Sequence, residues 1–487
     1  MTTSTSSVVR LLASGALVAT FAAATAIGCS VVSAVDFENC SENIECRDSF
    51  GLGWSCNADR GLCEQVSLHA RCSRVEPAKL LEDVETHRTT FVIGTLFNDA
   101  DVEGDQVLIN SAKLAVREAN AKTLDGRLFG LVHCDYQSNS DIDQLSSEEA
   151  AAELARFLVH DLGVNVIVGP GTSSTATAVY EAIKDTETLI ISPSATANSL
   201  IEIDGANGTK NADAPGLFWR TAPPDLGVGA KMAELVQDGG GLNTVIVHET
   251  GSYGEGLALE VDRLLVEGGG TSTRFAFANA GSANILTNEL NSEAFDSVVF
   301  VSAEVGIVSD FVNTVGSLIE DGGDSPYTNA RVVVSDAAIP AQLIENSVTQ
   351  PSMRLVFDQM FGVRYGESES ESVYNIYNSR YRGEFDGMEP TPGYYGEHTY
   401  DATMMAVFGV TWATYQLGGE LTARNIARGL WQINTGVDVS INSESLELVK
   451  EAFGNGQPVN LKGASGLLDY DPFTEETSAA VEAWRID

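Results

Sequence analysis

From Thr89 onward, short unbroken apolar runs alternate with stretches of helical periodicity. FVIGTLF (Phe91–Phe97), LFGLVHC (Leu128–Cys134), NVIVG (Asn165–Gly169) and TLIIS (Thr188–Ser192) are the runs. Between them, Leu108, Ala112, Ala115 and Ala119 share one helical face, and further helical patterns cover 141–162 and 174–185. Because the runs are continuous, both faces of each strand must be buried, as in a parallel sheet covered by helices on both sides. After Trp219-Arg220-Thr221 the plan is written again as TVIVHE, RFAFA, SVVFVSA and RVVVSD, separated by helical stretches over 256–267 and 306–318. The expectation is an α/β protein of two doubly wound parallel-sheet lobes. Ligands of such sheets bind at the carboxyl ends of the strands, so a cleft between the lobes is the natural site.

Helical patterns near Val373–Tyr381 and Tyr400–Leu417 must pack on one lobe or the other, so the chain crosses more than once. The reading assigns 89–222 plus 355–460 to the first lobe and 223–354 plus 461–487 to the second. The length of 487 residues, with 44 % hydrophobic and 20 % charged content, supports globular packing in more than one unit. Charge is one-sided: 28 Lys plus Arg against 68 Asp plus Glu give −40. Such a field repels phosphate backbones and anionic lipid, which argues against nucleic-acid partners.

Arg10 precedes the apolar, alanine-rich segment Leu11–Gly28, which reads as a secretory signal over 1–28. The tetrapeptide Ala26-Ile27-Gly28-Cys29 resembles a bacterial lipobox, with alanine where the pattern prefers leucine. That resemblance implies a lipid-modified Cys29 and a protein tethered to the outer side of a membrane by its N-terminus; a plain transmembrane anchor is the rival reading. No other segment is apolar for the ~20 residues a spanning helix needs. The stretch from Cys29 to about Glu85 then forms a small Cys-rich spacer. Cys40, Cys46, Cys56, Cys63 and Cys72 crowd where GLGW and NADRG supply turns but little apolar periodicity, so disulfides in an oxidising compartment must hold it. Zinc fits poorly, since no pair has CxxC spacing and His69 is alone. Two bridges are expected among the first four cysteines. For Cys72 and Cys134 a bridge and a buried free thiol at Cys134 both stand.

Two hydroxyl-rich loops follow successive strands. Gly169-Pro170-Gly171-Thr172-Ser173-Ser174 opens a helix whose free N–H groups make a local anion site. It lacks the third glycine of a dinucleotide fingerprint, and Ser174 stands there. SPSATANS (Ser192–Ser199) could set Thr196 beside Ser173. One such loop is explained by helix capping. A pair at adjacent strand ends suits a small carboxylate.

These and further landmarks resemble the type I periplasmic binding proteins, in particular the leucine/isoleucine/valine-binding group that serves ABC importers. The resemblance spans Thr89–Asp487 and rests on IGTLFNDADVEGD with LAVREAN, IVGPGTSS, IISPSATANSL, FWRTAPPD, HETGSYGEG, TYDA and GASGLLDYD. It implies that Ser173, the backbone at Ser194, and Thr196 hold a ligand carboxylate, that Asp336 takes the ammonium, and that Tyr253 closes over the ligand. A zwitterion requires donors at one end and a carboxylate at the other. Where branched-chain binders carry aromatics, this chain has Glu103 and, after SVVFVSA, Glu304. Either those carboxylates select a polar or cationic amino acid, or they face solvent.

Asp99, Asp101, Glu103 and Gly104 partly imitate an EF-hand, but the twelfth position is Asn110, which argues against calcium. There is no HExxH, GxSxG or P-loop, and Ser173 with distant His133 or His398 is better explained as a carboxylate donor than as a nucleophile. The chain is therefore read as a non-enzymatic, cofactor-free solute-binding lipoprotein. Its partner is an ABC permease or, alternatively, a receptor that senses closure.

Overall fold

The computed structural model describes residues 39–51, 53–57, 59–98, 104–138, 142–322, 324–365, 371–390 and 393–486. The signal-like segment 1–28, Cys29 and Glu103 lie outside the described residues. The chain divides into two compact units after Val66.

The first unit holds a helix, Asn43–Phe50, and an antiparallel hairpin of β1 (Trp54–Asn57) and β2 (Leu62–Gln65). Glu42 and Glu45 close the helix start as a reciprocal capping box. Cys56 and Cys63 face each other across the hairpin but do not bond; Cys56 joins Cys40 and Cys63 joins Cys46. Each bridge therefore ties a hairpin strand to the segment before it, substituting for the core that so few residues cannot build.

The second unit contains two six-stranded sheets. In the first lobe the order is β3-β5-β4-β6-β7-β8, comprising β3 (Arg74–Glu76), β4 (Phe91–Phe97), β5 (Phe129–Asp135), β6 (Val166–Val168), β7 (Leu189–Ser192) and β8 (Phe218–Arg220). All pair in parallel except the edge strand β3. The second lobe runs β10-β9-β11-β12-β13-β16, with β9 (Asn243–Glu249), β10 (Thr271–Phe277), β11 (Ser297–Val301), β12 (Arg331–Val334), β13 (Met360–Tyr365) and the antiparallel β16 (Val481–Trp484); a separate parallel pair, β14 (Val437–Ser440) and β15 (Val459–Lys462), packs on the first lobe's core.

Continuous apolar strands are explained by two-sided burial. In the second lobe Val245, Val247, Val298 and Phe300 pack into one cluster with Phe311, while Ile246, Val299 and Val333 pack with Met232 and Leu257 on the opposite face. Each fully buried side chain of this kind contributes about 1.5–3 kcal/mol. In the first lobe the helix Gly396–Gln416 is buried on nearly every side from Gly396 to Thr411, which is why its sequence lacks a polar stripe.

Three expected boundaries shift. β3 pairs with β5, and Cys72 is bonded to Cys134 beside it, so 67–85 belongs to the first lobe rather than to the spacer. β13 pairs with β12, so the chain stays in the second lobe to Tyr365 and not to 354. Leu461, Ala464, Leu468 and Tyr470 pack into the first lobe's core, and β16 is what returns to the second sheet. Sequence periodicity marks elements, but which sheet a terminal strand joins is decided by edge pairing.

Candidate functional site

Ser173, Ser194, Thr196, Tyr253 and Asp336 stand shortly after the carboxyl ends of parallel strands, while Glu103 lies outside the described residues. After β6, Gly169 has φ +105°, and a Cβ there would lie 2.3 Å from the Leu96 carbonyl oxygen, so only glycine admits the turn. Thr172 caps the helix Ser173–Ile183 by accepting from Thr175 N–H. That duty leaves Ser173 free of capping. Its Oγ accepts the Ala197 N–H at 3.1 Å, which joins the two hydroxyl-rich loops as expected. Ser192 Oγ donates to the Pro170 carbonyl and accepts the Ala195 N–H, while Ser194 Oγ donates to the Gly171 carbonyl at 2.8 Å. The Ser194 hydroxyl is thus spent on the loop.

Arg220, at the end of β8, sets the second loop's orientation. Its fully buried guanidinium donates to the Ala195 and Ala197 carbonyls and forms a two-bond pair with the partly buried Glu476. Thr196 lies between those two carbonyls and is itself 2 % exposed.

From the second lobe, Tyr253 opens the helix Ser252–Glu267 and donates to Asp336 Oδ1 at 2.6 Å. Asp336 follows β12, and its other oxygen accepts from Tyr395 at 3.0 Å. Tyr395 precedes the first lobe's central helix and packs against that lobe's core, so this bond spans the cleft. Its backbone is left-handed, φ 56°, a conformation costing on the order of 1–3 kcal/mol for a bulky residue. A second crossing is backbone to side chain: a Cβ at Gly251 would lie 2.6 Å from Ser174 Oγ, and Ser252 N–H donates to that oxygen at 3.4 Å. The lobes are closed on one another.

Sequence reasoning missed four members. Asp225 ends the landmark FWRTAPPD and precedes the helix Leu226–Asp238; its carboxyl is fully buried. Burial raises its pKa well above the usual carboxylate range and Asp336 raises it further, against smaller opposing effects of Thr196 and Arg220. The Thr196 hydroxyl is close enough to draw that pKa part of the way back, while neither Asp225 oxygen has a partner in full hydrogen-bond geometry. Burial likewise raises Asp336, with the two tyrosine hydroxyls pulling it back. Glu249, at the end of β9, accepts from Ser302 Oγ and Ala303 N–H at 2.9 Å each, and burial pushes its pKa up to about 7. Tyr365 donates to the Pro223 carbonyl at the crossing between lobes. The proline-rich TAPPD segment was the available signal for Asp225; nothing in sequence marks Tyr395.

Glu304 is exposed, so of its two readings the structure selects solvent. Ser173 is bonded to Ala197, His133 shares a bond with Thr95, and the buried His398, its pKa lowered by burial to about 4, has no hydrogen-bond partner at Nδ1. Among the described residues no serine–histidine pair is assembled at this cleft.

A family model described as periplasmic binding protein matches residues 103–439. The chemotactic signal transduction system substrate-binding protein BasB of Halobacterium salinarum is 24 % identical over 370 residues, covering 73 % of this chain and 76 % of that protein. Among solved structures, the branched-chain amino acid transporter substrate binding protein LivJ of Streptococcus pneumoniae, in complex with isoleucine, matches with TM-score 0.56 at 16 % identity. The match covers 82 % of this chain and 96 % of that one. A solute binding protein of R. palustris in complex with 4-hydroxybenzoate matches with TM-score 0.57 at 11 % identity, covering 82 % and 93 %. At such identities the structures speak for the two-lobed fold, the type I periplasmic binding fold.

Proposed function

The chain belongs to the periplasmic binding protein family, and on that premise we propose that it captures a small zwitterion, an amino acid, between its lobes outside the cytoplasm. The reading rests above all on one arrangement. Donor-rich loops around Ser173, Ser194 and Thr196, with the buried Asp225 carboxyl beside them, stand at one side of a cleft whose other side presents the half-buried carboxylate of Asp336. An α-carboxylate suits the loops, an α-ammonium suits the acids, and Tyr253 covers the ligand. Closure is favoured by ligand because contacts from both lobes exist only in the closed state. The protein binds and does not catalyse.

Delivery to an ABC importer is the leading use of that closure. The relationship to BasB favours a second use, in which a transducer reads the closed state. Copurification of the membrane-anchored protein with a permease or with a transducer separates the two. In either case the signal-like N-terminus and Cys29 would supply a lipid tether, and the disulfide-stapled unit a spacer. A Cys29→Ala protein that stays in the membrane fraction would refute the tether.

The central test is titration calorimetry of the mature protein against amino acids, organic acids and sugars. Saturable binding of an amino acid is the expected result. Binding confined to uncharged sugars or aromatic acids would overturn the zwitterion reading.

A further inference from the structure

A cavity of about 90 Å³ lies in the first lobe at the far ends of the elements that carry the ligand loops. Ile183 and Lys184 close the helix that Ser173 opens, Thr188 leads into β7, and Leu217 leads into β8. The eleven-residue helix alone separates Ser173 from Ile183 by about 15 Å at ~1.5 Å per residue. A guest of a few atoms in this cavity therefore cannot touch the cleft.

The floor is apolar, made by Ile183, Ile190 and Leu217, while Tyr180, Lys184 and Arg424 bring donors to the same space. Those donors are incompletely used. Arg424 donates from one terminal nitrogen to the Pro215 carbonyl at 2.7 Å and reaches Glu187 Oε1 only at 3.4 Å from the other; its Nε makes no hydrogen bond among the described residues. Lys184 gives one of its three protons to Glu181 Oε2 at 2.6 Å. The Tyr180 hydroxyl has no hydrogen bond among the described residues, although Asp204, Lys184 and Arg424 lie within electrostatic reach. Burial, then Asp204 and Glu181, raise its pKa, so it stays a donor.

The competing acids are weak rivals for an incoming anion. Glu181 and Glu187 have side chains 57 % and 68 % exposed, and surface pairs of that kind hold their partners loosely. Asp204, the acid in the wall, is already satisfied: Oδ1 accepts from Lys210 at 3.0 Å and Oδ2 from the Phe218 N–H at 2.8 Å. Two cations against one bonded acid make a locally positive lining in a chain of net charge −40.

We infer that this cavity is a second ligand site, for a short-chain monocarboxylate whose carboxylate meets Arg424, Lys184 and Tyr180 and whose alkyl tail rests on Ile183, Ile190 and Leu217. A cavity of about 150 Å³ admits benzene, so this smaller one suits an acid of roughly two to four carbons. The site shares no residue with the cleft, and either assignment can fail alone.

Ligand-observed NMR titration of the mature protein with acetate, propanoate, butanoate and inorganic phosphate tests it, in wild type, Tyr180→Phe, Arg424→Met and the cleft variant Thr196→Val. Wild type should bind the acids saturably, each added methylene tightening binding about fourfold. Arg424→Met should weaken butanoate at least tenfold and Tyr180→Phe severalfold, while Thr196→Val leaves it unchanged. Tyr180→Phe removes a hydroxyl that bonds nothing, so it should melt with wild type and keeps the test valid if Arg424→Met, which also loses its Pro215 bond, unfolds. Butanoate binding lost in Thr196→Val and kept in Tyr180→Phe and Arg424→Met would put the acid in the cleft and overturn the second site. Phosphate binding as tightly as butanoate would overturn the role of the apolar floor, and absence of saturable binding would overturn the inference outright.

Discussion

Tyr395 of the first lobe donates its hydroxyl to Asp336 of the second at 3.0 Å, so the two lobes share a hydrogen bond to a half-buried acid. A bond of this kind contributes about 1.5–3 kcal/mol. Tyr395→Phe removes it while keeping the ring and the left-handed backbone. The unliganded variant should favour the open population by roughly ten- to a hundredfold relative to wild type. Small-angle scattering without ligand should then report a larger radius of gyration; an unchanged radius would show that the bond does not govern closure.

Breaking the buried Arg220–Glu476 pair from one side leaves a charge without its partner, at a cost of about 3–5 kcal/mol. Arg220→Met should therefore lower stability and, by releasing the Ala195 and Ala197 carbonyls, disorder the SPSATANS loop. Denaturant titration checks the first, and ligand affinity per folded molecule the second. Loss of stability with full affinity would show that the loop holds its shape without Arg220.

The Cys72–Cys134 bridge spans a sequence separation of 62 and is buried at both ends. Chain-entropy arguments give about 4 kcal/mol for a loop of that length. Cys72→Ser with Cys134→Ser should lower the melting temperature and expose the 67–76 edge to protease first. Equal protease resistance would mean that Arg71, through its pair with Asp143 and its bonds to the Asp135 and Gln137 carbonyls, suffices to hold the edge.

Buried acids predict the direction of the pH dependence. Burial lifts Glu249 to about 7 and Asp401 to about 6, so the folded protein keeps protons that the unfolded chain releases. Their contribution is therefore full below about pH 4 and is lost as pH rises toward 7. Glu249→Gln should flatten the decline between pH 5 and pH 8 by on the order of 2 kcal/mol. An identical slope in wild type and variant would remove Glu249 from the account.

The resemblance motifs acquire a physical meaning once folded. TYDA and GASGLLDYD lie far apart in sequence, yet Asp401 accepts from Ala464 N–H, Ser465 N–H and Ser465 Oγ, pinning one landmark to the other. FWRTAPPD holds SPSATANS through Arg220. Spacing made these segments recognisable, but not the bonds between them.

The sequence by itself determined the repeated strand–helix plan, because two-sided burial leaves continuous apolar runs that no half-exposed strand would carry. It also pointed to the disulfide-held N-terminal stretch and to the Ser173 and Thr196 loops, because turns, cysteines and hydroxyls after strands are local signals. Tertiary structure alone decided the rest. Edge pairing placed β3 and β13, the hairpin's geometry sent Cys56 to Cys40 and Cys63 to Cys46, and the closed cleft separated a satisfied Asp336 from an unbonded Asp225. Whether a carboxyl is bonded depends on groups brought to it from distant parts of the chain, and no local pattern records their arrival.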